Sequence, residues 1–143
     1  MKLLVLNGPN LNLLGLREPE IYGKATYADL VQMITEYCAL HHIDVAVKQT
    51  NHEGVLVDFI QQARIDKVDG IIINPAAYTH TSVAILDAIK AVSIPTIEVH
   101  ISDPDTREDF RKTSFLRLAC IDTIKGEGLQ GYITAIEKMV ESL

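Results

Sequence analysis

The feature that most constrains this chain is a set of short, almost unbroken apolar runs alternating with longer stretches of helical periodicity. The runs fall at 3–6, 43–47, 68–73, 95–99 and 118–124, and Gly70-Ile71-Ile72-Ile73 shows the type at its plainest. A strand with one face in water alternates apolar and polar residues; a strand without that alternation is covered on both faces, the condition of a parallel sheet between helical layers. Between the runs, 27–42, 55–65, 82–91 and 129–143 repeat apolar residues three and four apart, as Leu30, Ile34, Tyr37 and Cys38 do. Thr26 before the first of these, with Asp29 three residues on, predicts an N-cap that fixes where that helix begins. The order βαβαβαβαβα therefore predicts an α/β fold with five parallel strands.

Helices on both faces make the doubly wound, flavodoxin-like sheet the expected architecture. In such sheets ligands bind beyond the carboxyl ends of the strands. The 143 residues, 48% of them hydrophobic, fit one domain spanning 1–143 that buries a sufficient core without disulfide or metal. The net charge of -6 argues against a general nucleic-acid binder, so any anionic ligand must be held by local donors. Cys38 and Cys120 lie far apart, and Met1 leads into Leu3-Leu4-Val5-Leu6 without the basic stretch of a signal peptide, so reduced thiols and a cytoplasmic location are expected. No apolar run approaches the roughly 20 residues of a membrane span.

Two segments are too long for simple connections. The link from 7 to 24 contains Gly8, Pro9, Gly15, Pro19 and Gly23, yet Leu11, Leu13, Leu14, Leu16 and Ile21 make it too apolar to stay in water. A lid of about 8–24 packed over a site is the expectation. The second, 102–113, is dense in charge and reads as a solvated turn and short helix.

Familiar cofactor motifs fail on context. Gly126-Glu127-Gly128-Leu129-Gln130-Gly131 matches GxGxxG, but it follows the last strand, and the chain ends before the acidic ribose ligand expected about 20 residues later. Tight turning and close helix packing explain its glycines. Asn7-Gly8-Pro9-Asn10 lacks the Gly-Lys-Ser/Thr of a phosphate loop. His41, His42, His52, His80 and His100 are scattered without metal-ligand spacing, so no metal and no organic cofactor are expected.

His80 and His100 stand apart because each follows a predicted strand end. In Glu98-Val99-His100 the two-residue period puts carboxylate and imidazole on one side of the strand, where the acid orients the ring and stabilises its charged form. Either histidine alone would be an ordinary packed residue; two at neighbouring strand ends, with Asn74 and Arg111 nearby, describe a polar site. The long first loop adds Arg17 and Tyr22, and a guanidinium beside a phenol stabilises the phenolate that a general base requires. Taken alone, Tyr22 reads better as a ring packed beneath a loop than as a base.

These residues sit in longer blocks. Leu6-Asn7-Gly8-Pro9-Asn10-Leu11-Asn12-Leu13-Leu14-Gly15, with Arg17-Glu18-Pro19 and Tyr22-Gly23, closely resembles the opening of the type II 3-dehydroquinate dehydratases. The resemblance continues through Gln49-Thr50-Asn51-His52-Glu53-Gly54, through Asp69 to Ser82 with Asp87-Ala88-Ile89, and through Glu98-Val99-His100-Ile101-Ser102 with Arg107-Glu108 and Phe110-Arg111. It covers essentially the whole chain.

The resemblance implies reversible dehydration of 3-dehydroquinate to 3-dehydroshikimate, in the shikimate route to aromatic compounds or in quinate breakdown, without metal or organic cofactor. It assigns Tyr22 as the base, Arg17 as the group that favours its phenolate, and Asn10 as the holder of a water that stabilises an enolate. His100 becomes the acid and Glu98 its orienting partner. Ile101 and Ser102 take the substrate carboxylate, while Asn74, His80 and Arg111 bind ring hydroxyls. Asp87 is expected to reach the site of a neighbouring subunit, which implies a homo-oligomer built from trimers, commonly a dodecamer. The chain departs from the family pattern at Asp103, usually Asn, at Lys112-Thr113, usually two histidines, and at Asp122, usually Gly. The competing expectation is a non-catalytic binding or signalling module on the same fold, but Asn7 and Gly8 stand where a receiver domain would carry paired carboxylates.

Overall fold

The computed structural model describes residues 1–16 and 18–143, the side chains of Ile21 and Tyr22 excepted. Five parallel strands form one sheet: β1 (Lys2–Asn7), β2 (Asp44–Gln49), β3 (Gly70–Asn74), β4 (Thr96–His100) and β5 (Asp122–Lys125), in the order β2-β1-β3-β4-β5. A helical turn, α1 (Pro19–Tyr22), precedes α2 (Tyr27–Leu40), α3 (Glu53–Ile65), α4 (Val83–Val92) and α5 (Gln130–Ser142). This is the doubly wound order, with its winding reversed between β1 and β3.

The unbroken apolar strands serve two cores at once. On one face Leu3, Val5, Ile72, Ile97 and Val99 pack with Leu30, Ile34 and Cys38 of α2 and with Tyr132, Ile136 and Met139 of α5. On the other, Leu4, Leu6, Ile71 and Ile73 pack with Leu56 and Ile60 of α3 and with Ile85, Ile89 and Val92 of α4. Each fully buried aliphatic side chain contributes about 1.5–3 kcal/mol, and cutting one such as Ile72 to alanine would cost about 2–5 kcal/mol.

Local signals set the boundaries. Thr26 and Asp29 form a reciprocal capping box at the start of α2, the Thr26 Oγ1 accepting from the Asp29 N–H at 3.1 Å and the Asp29 carboxylate from the Thr26 N–H at 2.9 Å. Gly8 is required where β1 leaves the sheet, because a Cβ there would lie 2.6 Å from the Pro75 carbonyl oxygen. The loop that follows is packed down by buried Leu11 and Leu14, with a 3-10 turn at Leu11–Leu13. The GxGxxG segment turns at Gly126 (φ 76°) and Gly128 (φ 62°) and donates their N–H groups to the Ser102 and Ile101 carbonyls. Those glycines therefore brace the end of β4.

Two strand boundaries differ from expectation. The run 118–124 is not one strand: Leu116–Leu118 forms a 3-10 turn, pairing with β4 opens where the Ile121 N–H meets the Thr96 carbonyl, and β5 follows. Leu118, on that turn, and Ile121, just before the edge strand β5, are exposed. His100 is the last residue of β4 rather than one beyond it.

Candidate active site

At the carboxyl ends of β1, β3 and β4 lies a cleft lined by strand ends and the loops that follow them, with Asn10, Asn74, His80, His100, Ser102 and Arg111 among its residues. Pro9, Leu11, Ala76, Ala77, Ile101, Pro104 and Arg107 complete the wall, and among the described residues no carboxylate lines it. A chain with a net charge of -6 thus presents a cationic, donor-rich recess, which is how it can hold an anion.

The two-residue period of β4 brings Glu98 and His100 together, with Glu98 Oε2 2.7 Å from His100 Nε2. The carboxylate can only accept, so His100 donates through Nε2 and keeps Nδ1 for other partners. Glu98 is fully buried, and three further groups compensate it: Thr79 Oγ1 at 3.1 Å and Ser114 Oγ at 2.6 Å from Oε1, and Arg117 Nε at 3.5 Å from Oε2. Burial alone would push this carboxyl up; hydrogen bonds from His100 and Ser114 and the charges of His100 and Arg117 outweigh it and hold it below the usual glutamate range. Glu98 is therefore a carboxylate whose hydrogen bond fixes the orientation of the His100 ring.

His80 is anchored differently. Its Nδ1 lies 2.6 Å from the Thr113 carbonyl oxygen, which requires the proton on Nδ1 and leaves Nε2 as an acceptor. Burial lowers its pKa, and the charges of His100 and Arg111 lower it further against the Thr113 bond and Glu98. A neutral imidazole offering Nε2 suits a hydroxyl donor. Since Thr113 acts through its backbone carbonyl, the departure at that position leaves this anchor intact.

Asn74, at the end of β3, accepts from the Ala76 N–H at 3.1 Å and donates to the Tyr132 hydroxyl at 2.9 Å. Asn10 adopts φ 70°, a left-handed conformation that asparagine tolerates, and its N–H donates to Asn51 Oδ1 at 3.1 Å. Arg111 is tied by Nε to Glu108 at 2.5 Å, and Arg107 lies 3.6 Å from Glu18 of the long loop. Asp103, another departure, caps the 3-10 turn Pro104–Thr106 by accepting from the Asp105 N–H. Asp122 takes an ion pair from Lys138 at 2.9 Å, away from the cleft.

Of the sequence-predicted residues, Asn10, Asn74, His80, His100, Ile101, Ser102 and Arg111 line this cleft, and Glu98 backs it. Asp87 is exposed on α4 and does not line it. Arg17 and the Tyr22 side chain lie outside the described residues. Ser114, Arg117 and Tyr132 carry no motif signal as site residues, and Thr79 lies in a resembling block without being singled out; their roles emerge only from tertiary contact. Among the described residues no cluster of three or more His, Cys, Asp or Glu could hold a metal ion, and no helix is long and apolar enough to cross a membrane.

Comparison with known proteins matches this arrangement to one family. The family profile described as Dehydroquinase class II matches residues 1–140. The 3-dehydroquinate dehydratase of Clostridium acetobutylicum is 53% identical over 143 residues, covering 98% of this chain and 99% of its own. That of Fusobacterium nucleatum is 54% identical over 143 residues, covering 99% and 97%. The crystal structure of type II dehydroquinase from Butyrivibrio crossotus superposes with a TM-score of 0.97 at 53% identity, covering 98% of this chain and 97% of that one. With profile, sequence and fold agreeing along nearly its whole length, the chain belongs to the class II dehydroquinase family.

Proposed function

We propose that this cleft dehydrates 3-dehydroquinate by an anti elimination through an enolate, with His100 as the acid that protonates the departing hydroxyl. Membership of the family makes the chain a 3-dehydroquinate dehydratase, a hydro-lyase of the shikimate pathway to chorismate and the aromatic amino acids. The observation that carries the assignment of the acid is the buried, multiply hydrogen-bonded Glu98 holding His100 at 2.7 Å at the cleft wall.

The elimination divides into two proton transfers. Tyr22, as phenolate beside Arg17, removes the proton alpha to the ketone, and the electron pair moves onto the carbonyl oxygen as an enolate. A water held near Asn10 stabilises that oxygen. The enolate then collapses, the carbon–oxygen bond to the β-hydroxyl breaks, and His100 supplies the proton that lets it leave as water. Base and acid must stand on opposite faces of the ring. A lid of about 8–24 carrying Arg17 and Tyr22 over a fixed His100 meets that need and excludes bulk water.

The remaining residues hold the substrate. The cationic wall supports Ile101 and Ser102 as the carboxylate pocket, and the acceptor nitrogen of His80, the amide of Asn74 and the guanidinium of Arg111 suit ring hydroxyls. Exposed Asp87 is free to serve the site of a neighbouring subunit, in a trimer-based homo-oligomer, commonly a dodecamer. The free thiols of Cys38 and Cys120 support a cytoplasmic enzyme.

The test is ultraviolet absorbance after adding EDTA-treated protein to 3-dehydroquinate, with a borohydride-treated sample alongside. Dehydration creates a conjugated enone, so absorbance rises in both samples if neither metal nor lysine imine takes part. No rise with folded, assembled protein would replace catalysis with a binding role.

A further inference from the structure

The Asn74 side chain is held by two hydrogen bonds, and one of them is relayed to a third residue. Its Oδ1 accepts the Ala76 N–H at 3.1 Å, its Nδ2 donates to the Tyr132 hydroxyl at 2.9 Å, and Tyr132 donates onward to Asn7 Oδ1 at 2.6 Å. The direction of this relay is set by its first member. A backbone N–H can only donate, so the Asn74 oxygen must face Ala76 and its amide nitrogen must face Tyr132. The Tyr132 oxygen therefore accepts, and its single proton goes to Asn7.

The surroundings reinforce that order. Asn7 and Tyr132 are fully buried, and Asn74 is 3% exposed. Register pairs Asn7 with Asn74 at the ends of β1 and β3, where the winding of the sheet reverses. Ala76 adopts φ 53°, a left-handed conformation unfavourable for alanine, while presenting its N–H to Asn74. Burial pushes the Tyr132 hydroxyl well up, only partly offset by the Asn74 bond, so it keeps its proton at neutral pH. With one Nδ2 proton committed to Tyr132, the other is the donor that Asn74 has left for the cleft it lines.

We propose that Tyr132, which does not line the cleft, is a positioning residue for the dehydration: by accepting from Nδ2 it is the second anchor of the Asn74 amide, whose orientation the Ala76 N–H sets, and so it fixes where the remaining Nδ2 proton points in the cleft. This rests on the reading of Asn74 as a substrate contact. Tyr132→Phe keeps the buried ring but removes the oxygen that holds Nδ2, leaving Asn74 with one anchor instead of two.

Steady-state kinetics on 3-dehydroquinate for Tyr132→Phe, Asn74→Ala and the double variant, at a temperature where thermal unfolding shows all to be folded, tests the inference. Tyr132→Phe is expected to raise KM about 5–10-fold with kcat changed less than about threefold. The double variant is expected to match Asn74→Ala alone, because Tyr132 acts through Asn74. Asn7→Ala leaves the phenol in place but removes the acceptor that aims its proton; it should raise KM in the same direction and stands in if Tyr132→Phe does not fold. An unchanged KM in both Tyr132→Phe and Asn7→Ala overturns the inference, as does a double variant whose loss is the product of the two single losses. If Asn74→Ala itself leaves KM unchanged, Asn74 is not a substrate contact, and the inference falls with that reading.

Discussion

Arg117 Nε stands 3.5 Å from the same Glu98 oxygen that accepts the His100 hydrogen bond. One buried carboxylate oxygen therefore faces an imidazole at the cleft and a guanidinium behind it. Nε and Nη2 of Arg117 are themselves buried without a hydrogen-bond partner, so the arginine interacts with Glu98 mainly through charge. The Glu98 carboxyl is held below its usual range in the fold, although burial opposes this. A depressed carboxyl stabilises the fold fully above its unfolded pKa of about 4.5 and loses that contribution as pH falls through the folded value. Glu98→Gln removes this dependence, so wild-type Tm should fall relative to that of the variant as pH drops below about 4.5. At neutral pH the amide can present N–H to His100 Nε2 and stabilise the wrong tautomer, and kcat should fall by about 10²-fold. Parallel Tm profiles and an unchanged kcat would show that the carboxylate charge is unimportant.

His80 is predicted to titrate below the ordinary histidine value of about 6.5, because its burial and the nearby cations disfavour protonation. Substrate affinity should therefore weaken as pH falls through that titration, when Nε2 gains a proton and ceases to accept. Proton NMR of the His80 ring gives the midpoint, and His80→Ala should raise KM about tenfold. A midpoint above 6.5 would contradict the neutral acceptor.

The Glu98–His100 pair is legible in the sequence because a strand imposes a strict alternation, so residues two apart must share a face. The two cores are legible for the same reason: Ile71 and Ile73 reach one and Ile72 the other. Periodicity carries no information about contacts between elements. Thr79 and Ser114 meet Glu98 from a 3-10 turn and a loop, and Tyr132 reaches Asn74 across 58 residues of chain. The apolar run at 118–124 misplaced the start of the last strand because its residues obey no single environment: Ile124 is buried, while Leu118 on the preceding turn and Ile121 before the edge strand are exposed. The proposed lid is marked in the sequence only by its residue blocks, and nothing periodic in it specifies how Arg17 would meet Tyr22.

Tyr22→Phe removes the ionisable oxygen and keeps the ring, so turnover should fall at least about 10³-fold with the fold intact by circular dichroism. Near-normal rates would sink the assignment of the base. If Arg17 is the cation that favours the phenolate, Arg17→Ala should move the limb of the kcat/KM profile governed by that base to higher pH. A limb that stays where it is in the parent would separate Arg17 from the ionisation of Tyr22.

Cys120 lies near Glu98, on the side of the sheet facing α3 and α4, and burial together with that negative charge pushes its thiol up to about 12. Cys38, on α2, is fully buried and its thiol is also raised by burial. At pH 8 a thiol of that acidity is ionised in about one molecule in ten thousand, and the thiolate is the reactive species. A disulfide reagent such as DTNB should therefore label native protein very slowly at pH 8 and release two equivalents promptly once the chain is unfolded in guanidinium. Glu98→Gln removes the charge but not the burial, so labelling of Cys120 should quicken only modestly in that variant. Rapid labelling of Cys120 in the native wild type would mean that the 116–121 segment opens on the timescale of the reaction, and would predict a matching loss of the Arg117 contact with Glu98.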